Sequence, residues 1–233
     1  MNKKVIVIIL VCIVYFYTST NEYKANIKKK TSLTVEGYIV NPKNPLKELP
    51  EGYEFVNYRY TIKGCTLSTF HRDVTSSAYE FKTNHPVYTY IEYFTKGALI
   101  SVCPGSHKTV PLLYSNPEII YSENEKTSIL FNSDIVHAGV INEETTNERY
   151  AIQYKIVHKD DLKKFPKLVG IDKVKEGNCD VTRNTGWEIV LRRMSLFNSF
   201  LINHVFTKYL QENQHNILNK IALKLTNKDF YNV

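Results

Sequence analysis

Three side chains in this 233-residue chain have the types and the spacing for metal chemistry. The phrase Thr69-Phe70-His71-Arg72-Asp73 lies in a run of β-forming residues. On a strand, side chains two apart project to the same face, so His71 and Asp73 can reach one ion together. A third ligand is offered by His137, which ends the apolar run from Ser128 to Val136 and is followed by Ala138-Gly139, where a strand would stop at the mouth of a barrel. Two histidines and one carboxylate that leave other positions open are the ligand set of Fe(II) sites that work on O2. A closed four-ligand structural site would leave no room for O2 or a cosubstrate. Arg149 comes twelve residues after His137 and opens the run Arg149-Tyr150-Ala151-Ile152-Gln153-Tyr154. Its planar fork suits a carboxylate at the far end of a pocket, and a buried arginine needs such an anion. Thr89 and Tyr90, on the strand after the triad phrase, are placed to hydrogen-bond a cosubstrate, and Gln153 shares the parity of Arg149. His107 reads as a residue that shapes a loop, His85 and His158 as turn and strand-end residues.

The succession His71-Arg72-Asp73, then Cys103-Pro104-Gly105-Ser106-His107-Lys108, then His137-Ala138-Gly139, then Arg149 resembles the Fe(II)/2-oxoglutarate-dependent dioxygenases, in particular their phytanoyl-CoA dioxygenase-like branch. The likeness covers the middle of the chain, residues 50–160 or so. Triad and arginine belong to the wider superfamily, and the Pro-Gly-Ser-His-Lys phrase narrows the match to that branch. The resemblance implies a double-stranded β-helix, a jelly-roll or cupin-like barrel, with Fe(II) on His71, Asp73 and His137 and with Arg149 clamping the distal carboxylate of 2-oxoglutarate. It implies hydroxylation of a C–H bond with O2, releasing succinate and CO2. The carboxylate at Asp73 favours hydroxylation over halogenation, which would need that coordination position vacated for halide. A small molecule, a lipid and a protein side chain all remain open as substrate. A different class is a non-catalytic, metal-binding cupin-like barrel that serves as a binding module.

The elements that must position these residues are short. From about Thr31 to His158 the sequence runs through VEGYIV, EFVNYRYTI, TLSTFHRDV, VYTYIEYF, ALISVC, SILFNSDIVHA and RYAIQYKIVH, separated by turn signals such as Asn84-His85-Pro86, Thr95-Lys96-Gly97 and Pro104-Gly105-Ser106. Closely spaced strands without helices between them predict a mainly β sandwich or barrel. Beyond Lys159 a loop-like stretch with Pro166, Gly170 and Gly177 leads into a helical pattern from Trp187 to Leu225, read as two amphipathic helices packed on the barrel. The expected organisation is a leader at 1–20, a linker or N-terminal extension at 21–48, the barrel at 49–160, and a loop with flanking C-terminal helices at 161–233.

Composition sets the outer bounds. With 43% hydrophobic and 23% charged residues, 9 Gly and 8 Pro, the chain is neither disordered nor collagen-like. The net charge of +7 arises from scattered lysines and short runs such as Lys28-Lys29-Lys30, so no nucleic-acid partner is expected. Four cysteines without a CxxC pair encode neither a zinc finger nor a disulfide framework, although one bridge among Cys65, Cys103 and Cys179 stays open. Val5 to Tyr17 form an unbroken apolar run after two lysines. It is short of the about 20 residues that span a bilayer and matches the hydrophobic region of a secretory signal or signal anchor. This predicts a membrane-anchored or secretory-pathway protein, held at a membrane through the N-terminal segment, with the orientation left open by lysines on both sides of the run.

Overall fold

The computed structural model describes residues 3–26, 31–64, 69–73, 76–108, 116–140, 149–165, 168–176 and 186–197. The strands among them are β1 Tyr23–Lys24, β2 Tyr38–Val40, β3 Tyr53–Phe55, β4 Tyr58–Gly64, β5 Tyr88–Tyr93, β6 Gly97–Val102, β7 Glu118–Ser122, β8 Thr127–Asn132, β9 His137–Gly139, β10 Arg149–His158 and β11 Ile171–Glu176. The helices are α1 Lys3–Ser19, the single turn α2 Ala78–Phe81, and α3 Gly186–Phe197.

Alternation in the sequence decides which way each strand faces. In β5, Thr89, Ile91 and Tyr93 are buried on the inner face while Tyr90 and Glu92 are partly exposed. β10 lies between β4 and β5, and its Arg149, Ala151, Gln153 and Lys155 share the inner face, opposite Gly64, Tyr93, Ile91 and Thr89 respectively. β8 is buried at every residue except Ser128 because both of its faces are covered. Ile129 and Phe131 join the inner cluster with Tyr38, Ile91, Leu99, Val102, Ile120 and Ile135. Leu130 packs outward beneath Leu33, Leu49 and Ile156. Each such fully buried side chain contributes about 1.5–3 kcal/mol relative to exposure.

The larger sheet has the order β11-β4-β10-β5-β8-β2, with β3 also on β10, and the smaller has β1-β7-β6-β9. An antiparallel bridge between His71 and His137 extends the smaller sheet past β9. The chain therefore passes from β4 in the larger sheet to His71 in the smaller, back to β5, across to β6 and β7, back to β8, across to β9 and back to β10. Each pairing along that path is antiparallel. Two facing sheets filled alternately in this way make a jelly roll, the double-stranded β-helix expected from the sequence.

Three local expectations change. The run EFVNYRYTI is two strands, β3 and β4, because their registers on β10 differ by two residues, Phe55 standing opposite Ile156 and Tyr60 opposite Gln153, with the Tyr58 N–H turned back onto the Val56 carbonyl at 2.7 Å between them. The stretch after Leu168, read as loop-like, contains β11, an edge strand parallel to β4. Five of its six side chains are exposed, so it shows no buried alternation. Residues 21–48, expected as a linker or N-terminal extension, supply β1 to the smaller sheet, while β2, on the larger, falls in the expected run VEGYIV. α3 covers the start of the expected helical region, and residues 198–233 lie outside the described residues.

α3 is fastened to the smaller sheet and to the N-terminal segment. The Phe70 N–H donates to Ser195 Oγ at 2.8 Å, and Leu196 packs with Phe70, Cys103, Val136 and Ala138. Arg192 donates from Nε and one terminal nitrogen to the two oxygens of Glu22, each at 2.7 Å, and from the other terminal nitrogen to the Gly139 carbonyl at 2.8 Å. Cys12 and Cys103 are free thiols, and Cys65 and Cys179 lie outside the described residues. Among the described residues, no helix is long and apolar enough to cross a membrane.

Candidate metal centre

The two histidines meet because their backbones do. His71 and His137 exchange N–H to carbonyl hydrogen bonds, both at 2.9 Å, which places the rings side by side with centroids 4.6 Å apart. Each ring then uses Nδ1 on a carbonyl two residues back, His71 on Thr69 at 2.8 Å and His137 on Ile135 at 3.0 Å. A carbonyl can only accept, so each Nδ1 carries the proton and each Nε2 keeps its lone pair for a metal. Asp73 is seated by its N–H, which donates to the Ser133 carbonyl at 3.1 Å. Its Oδ1 lies 3.6 Å from His137 Nε2. One ligand atom from each of His71, Asp73 and His137 lies within 4.8 Å of the other two, close enough for a single ion.

The second oxygen of Asp73 is already engaged. Oδ2 accepts from Lys155 Nζ at 2.6 Å and from Thr89 Oγ1 at 2.8 Å. Lys155 Nζ also donates to Thr89 Oγ1 at 2.8 Å, and Thr89 Oγ1 lies 2.9 Å from Ser133 Oγ. Lys155 is fully buried, so its ammonium depends on this pairing. Burial works to raise the Asp73 carboxyl, but Lys155, His137 and His71 outweigh it and hold the group well below the ordinary carboxylate range. Burial pushes His71 down to about 4, with His137 adding to the shift and Asp73 opposing it. Burial also lowers His137. Both rings are therefore neutral at pH 7, the form that binds metal.

Arg149 lies inside the barrel, only 8% exposed. Its Nε is buried without a hydrogen-bond acceptor, and no carboxylate among the described residues pairs with it. The guanidinium lies against Gly139, where an added Cβ would stand 2.6 Å from a terminal nitrogen. Tyr93 sits within electrostatic reach of both Arg149 and Asp73, and its hydroxyl is pushed up to about 12 by burial. A buried, unpaired fork in the barrel that holds the triad fits a small carboxylate ligand, and the donor set of two Nε2 atoms and one carboxylate oxygen fits Fe(II).

The structure thus brings His71, Asp73 and His137 together and buries Arg149 with no carboxylate partner among the described residues. Thr89 faces the same interior but spends its hydroxyl on Asp73, and Gln153 lies on the inner face between Ile91 and Tyr60. Two contributors escaped the sequence reading. Lys155 is one, since lysine in a strand ordinarily marks a solvent face, and only its parity with Arg149 signals otherwise. Ser106 is the other: its Oγ accepts from the Val136 N–H at 2.7 Å and its carbonyl accepts from Arg72 at 2.9 Å. The Pro-Gly-Ser-His-Lys turn therefore grips the neighbours of both histidine ligands, while His107 backs onto Gly37. A second group, His85, His158 and Asp160, also has ligand atoms within 4.8 Å. There the two rings stack at 3.7 Å with planes 20° apart, so their in-plane lone pairs run alongside each other and do not converge on one ion.

No family model and no curated protein matches the chain. Solved structures do. Apo HygX from Streptomyces hygroscopicus is 11% identical over 55% of this chain and 84% of that one, with a TM-score of 0.39. The nickel complex of the non-haem monooxygenase ThoJ is 12% identical over 66% and 70%, with a TM-score of 0.38. The non-haem alpha-ketoglutarate-dependent carbocyclase SnoK from nogalamycin biosynthesis is 9% identical over 74% and 86%, with a TM-score of 0.36. NvfI, another such neighbour, is described as an iron and alpha-ketoglutarate-dependent endoperoxidase, and HygX has also been solved with iron bound. At such identities and TM-scores, the chemistry of this site rests on the chain's own residues.

Proposed function

We propose that the chain is an Fe(II)- and 2-oxoglutarate-dependent dioxygenase that hydroxylates a C–H bond of a small molecule, lipid or protein side chain and releases succinate and CO2. The observation that carries this reading is the pairing of a two-histidine, one-carboxylate set with a buried arginine that has no carboxylate partner among the described residues. Bound iron would supply O2 activation coupled to decarboxylation of the cosubstrate. His71 and His137 bind through Nε2, their tautomers fixed by the Thr69 and Ile135 carbonyls. Asp73 contributes one negative charge through Oδ1. Arg149 recognises the far carboxylate of the diacid and so sets which end faces the metal. Tyr93 keeps its proton at neutral pH and is a donor, not an anion, toward anything bound beside it. Ile91, Ile129 and Phe131 line the same interior and exclude water from it. The test is turnover: purified protein with Fe(II), 2-oxoglutarate and O2 forms succinate, and His71→Ala or His137→Ala abolishes both Fe(II) binding and succinate while circular dichroism keeps its β signature. Metal binding without any 2-oxoglutarate consumption would favour the binding-module reading instead.

We also propose that residues 1–20 deliver the barrel to a membrane or the secretory pathway. α1 exposes Val7, Ile8, Val11 and Val14. At 1.5 Å per residue, its 17 residues reach about 26 Å, short of the roughly 30 Å hydrocarbon core. A signal or interfacial anchor therefore fits better than a span. Cell fractionation of the full chain against a chain lacking residues 1–20 tests this, and equal partition into the soluble fraction would reject it.

A further inference from the structure

Lys155 is a buried charged group that the proposed chemistry does not use. It lies six residues along β10 from Arg149 on the same inner face and is 0% exposed. An ammonium is carried into a barrel at a desolvation cost of several kcal/mol, and here it is directed at a metal-ligand candidate. With Thr89 it occupies Asp73 Oδ2 at 2.6 and 2.8 Å. Oδ1 lies 3.6 Å from His137 Nε2 and takes no hydrogen bond from the described residues.

We propose that Lys155 is a positioning residue that forces Asp73 to bind the metal through one oxygen. This rests on the metal reading above, and its consequence follows from counting positions. An octahedral ion, if held by two Nε2 atoms and one carboxylate oxygen, would keep three positions, enough for a 2-oxo acid bound through two oxygens and for O2. If Asp73 chelated through both oxygens, only two would remain, and the diacid and O2 would compete. Lys155 and Thr89 block that second mode by holding Oδ2 with short, charge-assisted bonds. The same cation partly offsets the charge of Asp73, so the ion is held less tightly than by an unencumbered carboxylate. The arrangement exchanges metal affinity for open positions.

Co(II), a spectroscopic stand-in for Fe(II), tests this on the full chain without turnover. Titration of the parent, Lys155→Met and Thr89→Val is followed by visible absorption, with and without 2-oxoglutarate. Lys155→Met is expected to bind Co(II) several-fold more tightly, because a repelling cation is gone and Oδ2 is held by the Thr89 hydroxyl alone. Its spectral response to 2-oxoglutarate should shrink, with the diacid binding on the order of tenfold more weakly. Thr89→Val should move both quantities in the same direction by less, and it carries the test if Lys155→Met does not fold. A merely structural salt bridge would change the melting temperature and leave the Co(II) spectrum and its 2-oxoglutarate response as in the parent, and that result overturns the proposal. If the parent itself bound no Co(II), the metal reading would fall, and this role for Lys155 with it.

Discussion

Arg149 concentrates the cosubstrate question in one side chain. It is buried with no carboxylate partner among the described residues, so Arg149→Ala is expected to weaken 2-oxoglutarate binding by the roughly 3–5 kcal/mol typical of breaking a buried charged pair, about two to four orders of magnitude by calorimetry. Arg149→Lys keeps the charge without the fork and should fall between. Fe(II) affinity should stay near that of the parent in both. Gly139→Ala offers an independent check, since its methyl would stand 2.6 Å from the guanidinium and push the fork off its seat. It should lower 2-oxoglutarate affinity at least tenfold and leave the triad intact; unchanged binding would place the diacid elsewhere. These residues were legible in the sequence because types and spacing carry them: a histidine two before an aspartate, a histidine before Ala-Gly, an arginine opening a strand. The use of Thr89 was not legible, because a threonine facing a barrel serves a cosubstrate or a ligand carboxylate equally well until Lys155 and Asp73 are placed beside it.

At the scale of elements, the metal site depends on a helix outside the barrel. Ser195 accepts the Phe70 N–H one residue before His71, and Leu196 fills the apolar gap above Phe70. Leu196→Ala is expected to cost about 2–5 kcal/mol in urea unfolding, and Ser195→Ala roughly 1–3 kcal/mol through the orphaned buried amide. Both should weaken Fe(II) binding, since the segment carrying His71 loses its tether. A Ser195→Ala chain with parent metal affinity would show that the bridge to His137 alone holds that segment. Strands that alternate, such as β5 and β10, were readable from pattern. β11 was not, because an edge strand with five exposed side chains has no buried stripe to show. The bridge between His71 and His137 was also hidden, because it joins backbone groups far apart in sequence and neither residue type encodes it.

For the whole molecule, the site taxes stability as the solution turns acid. His71 titrates near 4 in the fold against 6.5 when free, so the unfolded chain takes up that proton first. The stability it contributes is complete above pH 6.5 and is lost as pH falls toward 4. Asp73, held below its ordinary 3.8, adds a loss of the same sign below that pH. The unfolding free energy of the metal-free protein should therefore decline from pH 7 to pH 4, and His71→Gln should flatten the decline. An equal slope in that variant would assign the effect to other groups. The jelly roll itself could be anticipated from short β runs punctuated by turns, since that pattern leaves few ways to bury one face of each strand. What the pattern could not supply was the order of strands within each sheet, which depends on which hydrogen-bonding edges meet.

Cys103 turns the strapped helix into a clock. The thiol is 2% exposed, lies in the cluster that Leu196 closes, and is pushed well above its usual range by burial, with Glu22 adding to the shift and Arg192 opposing it. An alkylating reagent needs a thiolate and a path to it, and the fold withholds both while α3 is seated. Cys12 is exposed and should label at once. Modification of the Cys103 peptide, followed by mass spectrometry over hours, then reads the frequency with which α3 lifts from the barrel. That rate should rise in Leu196→Ala and fall when the metal site is filled, because a bound ion ties His71, and through it Phe70, to β9. Immediate labelling of Cys103 in the intact protein would mean that α3 does not close this cluster in solution.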